Sequence, residues 1–384
     1  MLSAAKNIWI AVLVYGSIVV GFLVNNWNVI IDGNRDTTSN HSLSTEYANP
    51  EDVTLGNKVI LFWNAFFYDE DFRFGFGREP FVKYGCPVSR CETTSDKRVM
   101  READAILIHT PLVENMPSRP RVHQTYVMVQ VEPHMSNSDI LLPAMTGYFN
   151  LTMTYRQDSD IVIHYAHRKR NIAFAELVDV DPGDRPKSVV WVVSHCETPS
   201  RRELYAEELK RFIDVDVYGD CGSLRCPKKN NTYCRAMYER TYRFYLSFEN
   251  DICADYVSEK LYHPLRYKIV PIVYGGADYD NVAPPHSVIN IVDFPNPKDL
   301  ADYLRYLARN RTAYNEYFKW KRTGTWFDLN PRQRIADGMC RLCDILHDKN
   351  YEYRDYTNIR NWWVDGSCNQ TAMDNMISNW KHRS

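Results

Sequence analysis

At 384 residues the chain is long enough for two domains with appendages. Its 46 basic and 48 acidic residues nearly cancel, which gives no reason to expect a nucleic-acid partner. Aromatic residues are abundant, with 26 Tyr and 9 Trp, a composition that suits a carbohydrate-lined surface as well as a packed core.

The first feature in chain order is an uninterrupted apolar span, Ile8–Val24, with Lys6 ahead of it and Asn25-Asn26 behind. At ~1.5 Å per residue it covers about 25 Å, near the thickness of the thinner membranes of the early secretory pathway. No small-x-small cleavage pattern follows, so the span reads as an uncleaved type II anchor (8–24) behind a cytoplasmic tail (1–7). The Asn-, Ser- and Thr-rich segment after it cannot bury a core and reads as a stem (25–56). Sequons at Asn40, Asn150, Asn230, Asn310 and Asn369 fit a lumenal catalytic portion.

Buried-strand patterns follow at Lys58–Asn64, Ala103–Thr110 and Thr125–Glu132, and suggest an open α/β sheet for a first unit, 57–178. The third pattern ends on Glu132, a carboxylate at a strand terminus beside Pro133. A second unit, 188–330, opens with the strand pattern Ser188–His195. It continues through a helix whose Ser200 and Glu203 could form a capping box, then a strand at Asp216–Gly219. Arg201 and Arg202 sit in the first turn of that helix, where fork-shaped donors and free backbone N–H groups would converge on a diphosphate.

The densest chemistry lies in Tyr242–Phe294. A β-rich run, FYLSF, ends on Glu249-Asn250; a short helical pattern then carries Glu259 and Lys260; a buried strand, Ile269–Tyr274, leads into Gly275-Gly276. Taken alone, Glu259-Lys260 reads equally well as a solvated charge pair. The blocks FYLSFEN, DYVSEKL and VPIVYGG, an acidic-aromatic spacer and DF, in that order over about fifty residues, resemble the donor-binding signature of the GDP-fucose-dependent α1,3-fucosyltransferases.

That resemblance implies a GT-B-like fold, two Rossmann-like domains facing a cleft, behind a transmembrane helix and stem in the Golgi membrane. It implies an inverting enzyme with Glu132 as the base that activates the acceptor, although here Pro follows the Glu at once. Arg201 best matches the family's diphosphate-binding Arg by spacing, with Arg202 as the fallback; Ser194 and His195 occupy the preceding Ser-Asn position. Lys260 would meet the phosphates, and Glu249, Asn250 and Glu259 the ribose or fucose hydroxyls; Tyr242, Tyr245 and Tyr256 could stack on the base or line the sugar, but each reads first as a core residue. Arg201 and Lys260 would together stabilise the departing GDP, so no cofactor is required, with room for stimulation by manganese.

Ten cysteines in a lumenal chain should be largely paired. Cys340 and Cys343 form a lone CxxC that fits neither a zinc nor a thioredoxin context. The resemblance implies that they pair with Cys86 and Cys91. Cys221, Cys226 and Cys234 could pair locally or with Cys196, and Cys253 and Cys368 are unassigned. An amphipathic helix at Lys298–Asn310 is followed by helical spacing to Trp326, and a last helix at Arg332–Leu346 begins a segment, 331–384, expected to pack back on the first domain.

The expected activity is transfer of fucose to the 3-OH of a GlcNAc in a glycoprotein glycan. The YGxCG turn at Tyr218–Gly222 and Cys253 resemble the invertebrate and plant enzymes that act on the N-glycan core more than the vertebrate Lewis-type ones, which implies the chitobiose core as acceptor. The alternatives are Lewis-type transfer to antennal N-acetyllactosamine, and an inactive lumenal glycan-binding protein. A homodimer is compatible with the sequence.

Overall fold

The computed structural model describes residues 56–118, 123–133, 145–226, 231–354, 356–369 and 371–381. The anchor and stem, the sequons Asn40 and Asn230, and His134–Ser136 lie outside these residues. Among those described, no helix is long and apolar enough to cross a membrane.

Two parallel sheets organise the chain. The first contains Lys58–Phe62 (β1), Cys91–Thr94 (β2), Ala105–His109 (β3), Thr125–Gln130 (β4), Leu151–Thr154 (β5) and Ile161–Val162 (β6), in the order β2-β1-β3-β4-β5-β6. Every residue of β3 and β4 is buried, as expected of central strands covered on both faces. A short helix, Glu79–Lys83 (α1), precedes β2, and His167–Arg170 (β7) leads out of the sheet.

The second sheet contains Lys187–Val192 (β8), Val215–Tyr218 (β9), Tyr242–Phe248 (β10), Val270–Tyr274 (β11) and Ile289–Asn290 (β12), ordered β12-β11-β10-β8-β9. Helices Arg202–Lys210 (α2), Asn231–Thr241 (α3), Glu259–Leu265 (α4) and Pro297–Arg309 (α5) connect or cover these strands. Leu300, Leu304 and Leu307 of α5 and Leu209 of α2 are buried against Val189, Phe244 and Ile272 in one apolar cluster.

Helical spacing expected up to Trp326 is broken instead. Gly324 takes φ +68, and a Cβ there would lie 2.2 Å from the Asn171 carbonyl oxygen. That close approach lets Thr325–Asp328 (β13) pair antiparallel with β7, a ribbon that joins the two halves.

The chain end also departs from expectation. Pro331–His347 (α6) does pack on the first sheet, with Ile335, Met339 and Leu342 buried among Phe62, Phe81 and Val129. Tyr351 and Tyr356 also meet the first half, their hydroxyls reaching Asp160 at 3.1 and 2.7 Å, but later residues divide between the halves. Ile359 and Trp363 are buried in the cluster shared by the sheets, beside Tyr155 and Tyr256, and Ala372–Lys381 (α7) lies on the second sheet, where Trp380 meets Tyr205 edge-on at 5.4 Å. The apolar residues of α7 are spaced for a helix but say nothing of which sheet they meet.

All ten cysteines are paired. Cys86–Cys340 and Cys91–Cys343 staple α6 to the first sheet across sequence separations of 254 and 252 residues. Cys196–Cys221 and Cys226–Cys234 are local, and Cys253–Cys368 ties the tail to the second half. Closing such long loops restricts the unfolded chain strongly. Replacing Cys91 and Cys343 together by Ala should therefore cost about 2–5 kcal/mol of stability, read as a lowered melting midpoint. Replacing the locally bonded Cys226 and Cys234 should cost less, and equal losses for the two pairs would refute the loop-length account.

Candidate active site

A cavity of about 770 Å³ opens at the carboxyl ends of the second sheet's strands, where open parallel sheets bind ligands. Val192–His195 follow β8, Tyr218 and Gly219 close β9, and Asn250 follows β10; Glu259 and Lys260 start α4. Gly219 takes φ +96, and a Cβ there would lie 2.4 Å from the Val193 carbonyl oxygen, so two strand exits approach as only glycine allows. Phe67 and Glu132 come from the first sheet and complete the wall.

Glu132 sits just beyond β4 with both carboxylate oxygens engaged. The Tyr165 hydroxyl lies 3.0 Å from Oε1 and the Tyr256 hydroxyl 3.1 Å from Oε2. Each phenol has a second acceptor in reach, Val131 O at 2.7 Å and Asn250 Oδ1 at 3.1 Å. Burial raises Glu132 above the ordinary carboxylate range. Lys260 opposes this, Glu259 adds to it, and the two phenols pull it back. A raised carboxylate is a stronger base, and Glu132 is the one that faces the cavity from the first sheet.

Lys260 is fixed from behind. Glu249 is 1% exposed and accepts from Ser258 N at 2.8 Å, Ser258 Oγ at 2.8 Å and Lys260 Nζ at 3.1 Å. Ser258 in turn caps α4. Burial alone would lower Lys260, but the carboxylates of Glu249, Glu259 and Glu132 outweigh it and hold the ammonium above its ordinary value. Glu249 thus orients the lysine from beneath and is absent from the cavity lining, contrary to the expectation that it meets a sugar hydroxyl.

The arginines exchange roles. Arg201, the expected phosphate contact, takes a left-handed conformation at the N-cap (φ +51), and its guanidinium pairs with Asp374 of α7. Arg202 turns inward, is buried, and lines the cavity. Its Nη1 donates to Phe248 O at 2.6 Å and its Nη2 to His195 O at 3.2 Å, while its buried Nε has no partner among the described residues. Spacing separates adjacent arginines poorly; the αL turn between them decides. The expected capping box is also absent, because Ser200 Oγ donates to Glu249 O at 2.8 Å.

Ser194, His195, Asn250, Glu259 and Lys260 line the cavity as expected. Tyr242 does not: it is the first residue of β10, at the opposite end of the strand, with its hydroxyl 2.5 Å from Asp216 Oδ2. Tyr245, three residues further on, does line the cavity. Tyr256 is wholly buried and serves Glu132 instead of stacking on a ligand. Sequence patterns missed Tyr165, Arg235, Tyr238, His263 and Arg334. Arg334 of α6 lies with its guanidinium carbon 4.7 Å from the Tyr165 ring centroid. Two groups of described residues have metal-ligand proximity, Cys91/Cys343/His347 and Asp251/Cys253/Cys368, and in each the cysteines are already disulfide-bonded.

The lining therefore combines a buried carboxylate with a lysine, an arginine and a helix amino terminus, positive elements of the kind that attract an anion. A fucosyltransferase N-terminal family model matches residues 55–166, and a glycosyltransferase family 10 (fucosyltransferase) C-terminal model matches residues 183–362. The α-(1,3)-fucosyltransferase C of Drosophila melanogaster is 34% identical over 343 residues, 81% of this chain and 78% of that protein. The glycoprotein 3-α-L-fucosyltransferase A of the same species is 34% identical over 296 residues, 75% of this chain and 57% of that protein. A crystal structure of an α1,3-fucosyltransferase with GDP shares the fold, with a TM-score of 0.50 at 16% identity over 81% of this chain and 94% of that one. The two family models span both sheets and include Glu132, Arg202 and Lys260, and the chain belongs to glycosyltransferase family 10, the fucosyltransferases.

Proposed function

We propose that the chain is an inverting α1,3-fucosyltransferase that uses GDP-fucose and acts on the 3-OH of a GlcNAc, with the N-glycan chitobiose core as its favoured acceptor. The observation that carries this is Glu132, a desolvated carboxylate held by two phenols across the cavity from Lys260 and Arg202. The linkage is supported by the Drosophila α-(1,3)-fucosyltransferase, and the acceptor by the YGxCG turn and Cys253.

In this reading Glu132 takes the proton of the acceptor hydroxyl as its oxygen attacks the fucose anomeric carbon. The bond from that carbon to the diphosphate breaks, and the electron pair leaves with GDP. Lys260, Arg202 and the first turn of α2 stabilise the charge that develops there. These residues supply the leaving-group stabilisation, so the reaction needs no resident metal. The enzyme is read as a Golgi type II membrane protein of GT-B arrangement, anchored through 8–24.

Incubating the Val53–Ser384 fragment with GDP-fucose and a panel of core and antennal glycans should give fucosylated chitobiose core. Product only on N-acetyllactosamine would replace the core acceptor with the Lewis-type one. Glu132→Gln should lower kcat by about 10²–10⁴-fold while GDP affinity changes less than twofold; near-full activity would remove the base assignment. Tyr165→Phe deletes a donor that lowers Glu132, so its carboxyl should titrate higher. Because the base must be ionised, the acid limb of the kcat/KM profile should move to higher pH, and a shift toward lower pH would contradict the geometry. Arg201→Ala should leave GDP affinity within twofold, whereas Arg202→Lys should weaken it about tenfold by losing the fork, both read by calorimetry.

A further inference from the structure

The far end of the cavity is built from Tyr218, Tyr238, Tyr245 and Tyr267, with Arg235 of α3 among them. Arg235 Nη2 lies 2.8 Å from Nε2 of His263. Burial, reinforced by Arg235 itself, lowers His263 to about 4, so the ring is neutral at physiological pH. Arginine only donates, so Nε2 accepts and the ring proton sits on Nδ1. A neutral imidazole fixes the direction of the guanidinium without cancelling its charge. Among the described residues Arg235 makes no ion pair and no other hydrogen bond, so Nε and Nη1 have donors to spare. Lys260 differs, since Glu249 already meets it. His263 lies three residues beyond Lys260, about 4.5 Å along α4. Glu132, Lys260 and Arg235 line the same cavity, so a nucleotide whose diphosphate met Lys260 could bring its base to Arg235.

We propose that Arg235, aimed by His263, reads the donor's purine and selects guanine over adenine by donating two hydrogen bonds to O6 and N7. This rests on the GDP-fucose reading above. Guanine presents two acceptors on that edge, which match a donor-only fork; adenine presents N7 beside an amino group, so one donor of the fork would face another donor. The surrounding tyrosines supply apolar faces for the ring.

Calorimetric titration of the detergent-solubilised full-length chain with GDP and with ADP tests the assignment. The unaltered protein should prefer GDP. Arg235→Ala should cut the GDP-to-ADP affinity ratio roughly tenfold to hundredfold, with ADP affinity changed less than twofold, which also shows that the cavity is still folded. Arg235→Lys keeps the charge but loses the fork, and should lose most of the discrimination as well. His263→Leu should lower the ratio by a smaller factor. Equal weakening of GDP and ADP in Arg235→Ala would place the arginine on the shared diphosphate and overturn the base-reading role, as would an unchanged ratio. Failure of the unaltered chain to bind GDP would remove the donor reading, and this inference with it.

Discussion

A carboxylate buried at the end of a central strand is costly unless its oxygens are met by donors, and Glu249 meets this requirement locally. The Ser258 amide and hydroxyl and the Lys260 ammonium all converge on it. Because those donors open α4, satisfying one buried charge sets the start of that helix, its direction, and the lysine that lines the cavity. His263 and Arg235 inherit their positions from the same helix. The donor side of the site is thus a consequence of how β10 ends.

The acceptor side is joined to it through phenols. Tyr256 follows β10 in the second half but reaches Glu132 of the first, and Tyr165 holds the other oxygen beneath Arg334 of α6. The Glu132 carboxylate is therefore positioned from three parts of the chain. Tyr155, Tyr256, Trp363 and Ile359 share one apolar cluster with Ile106 and Met128 of the first sheet, so the two sheets meet through packed side chains as well as through the β7–β13 ribbon. Such packing limits how far Glu132 can move from Lys260.

Much of this was legible in the sequence where a signal is local. Apolar runs located β1, β3, β4, β8, β10 and β11, because fully buried parallel strands leave continuous hydrophobic stretches. Their exits carried Glu132 and Asn250, but it was the resemblance to the fucosyltransferases that singled out Glu132 and Lys260. Position within a strand was harder: Tyr242 and Tyr245 look alike in composition, but only the later one lines the cavity. Arg201 and Arg202 differ by one αL residue that no pattern announces. The short strands β7 and β13 depend on a glycine approaching a distant carbonyl, and the destination of α7 depends on tertiary packing, so neither leaves a periodic trace. Tyr165 and Arg235 lie on segments without a motif, and their roles come wholly from what the fold sets beside them.

Helix α6 is synthesised late yet completes the first core. Ile335, Met339 and Leu342 fill space beside strands that end at Val162, about 180 residues earlier. At ~5–20 residues per second the first sheet waits roughly 10–40 s with one face uncovered. During that interval Cys86 and Cys91 are both thiols, five residues apart, without their eventual partners. Bonding to each other would be the nearest error, and correcting it requires thiol–disulfide exchange once Cys340 and Cys343 arrive. Native assembly of this chain is thereby coupled to the isomerase capacity of the compartment in which it folds.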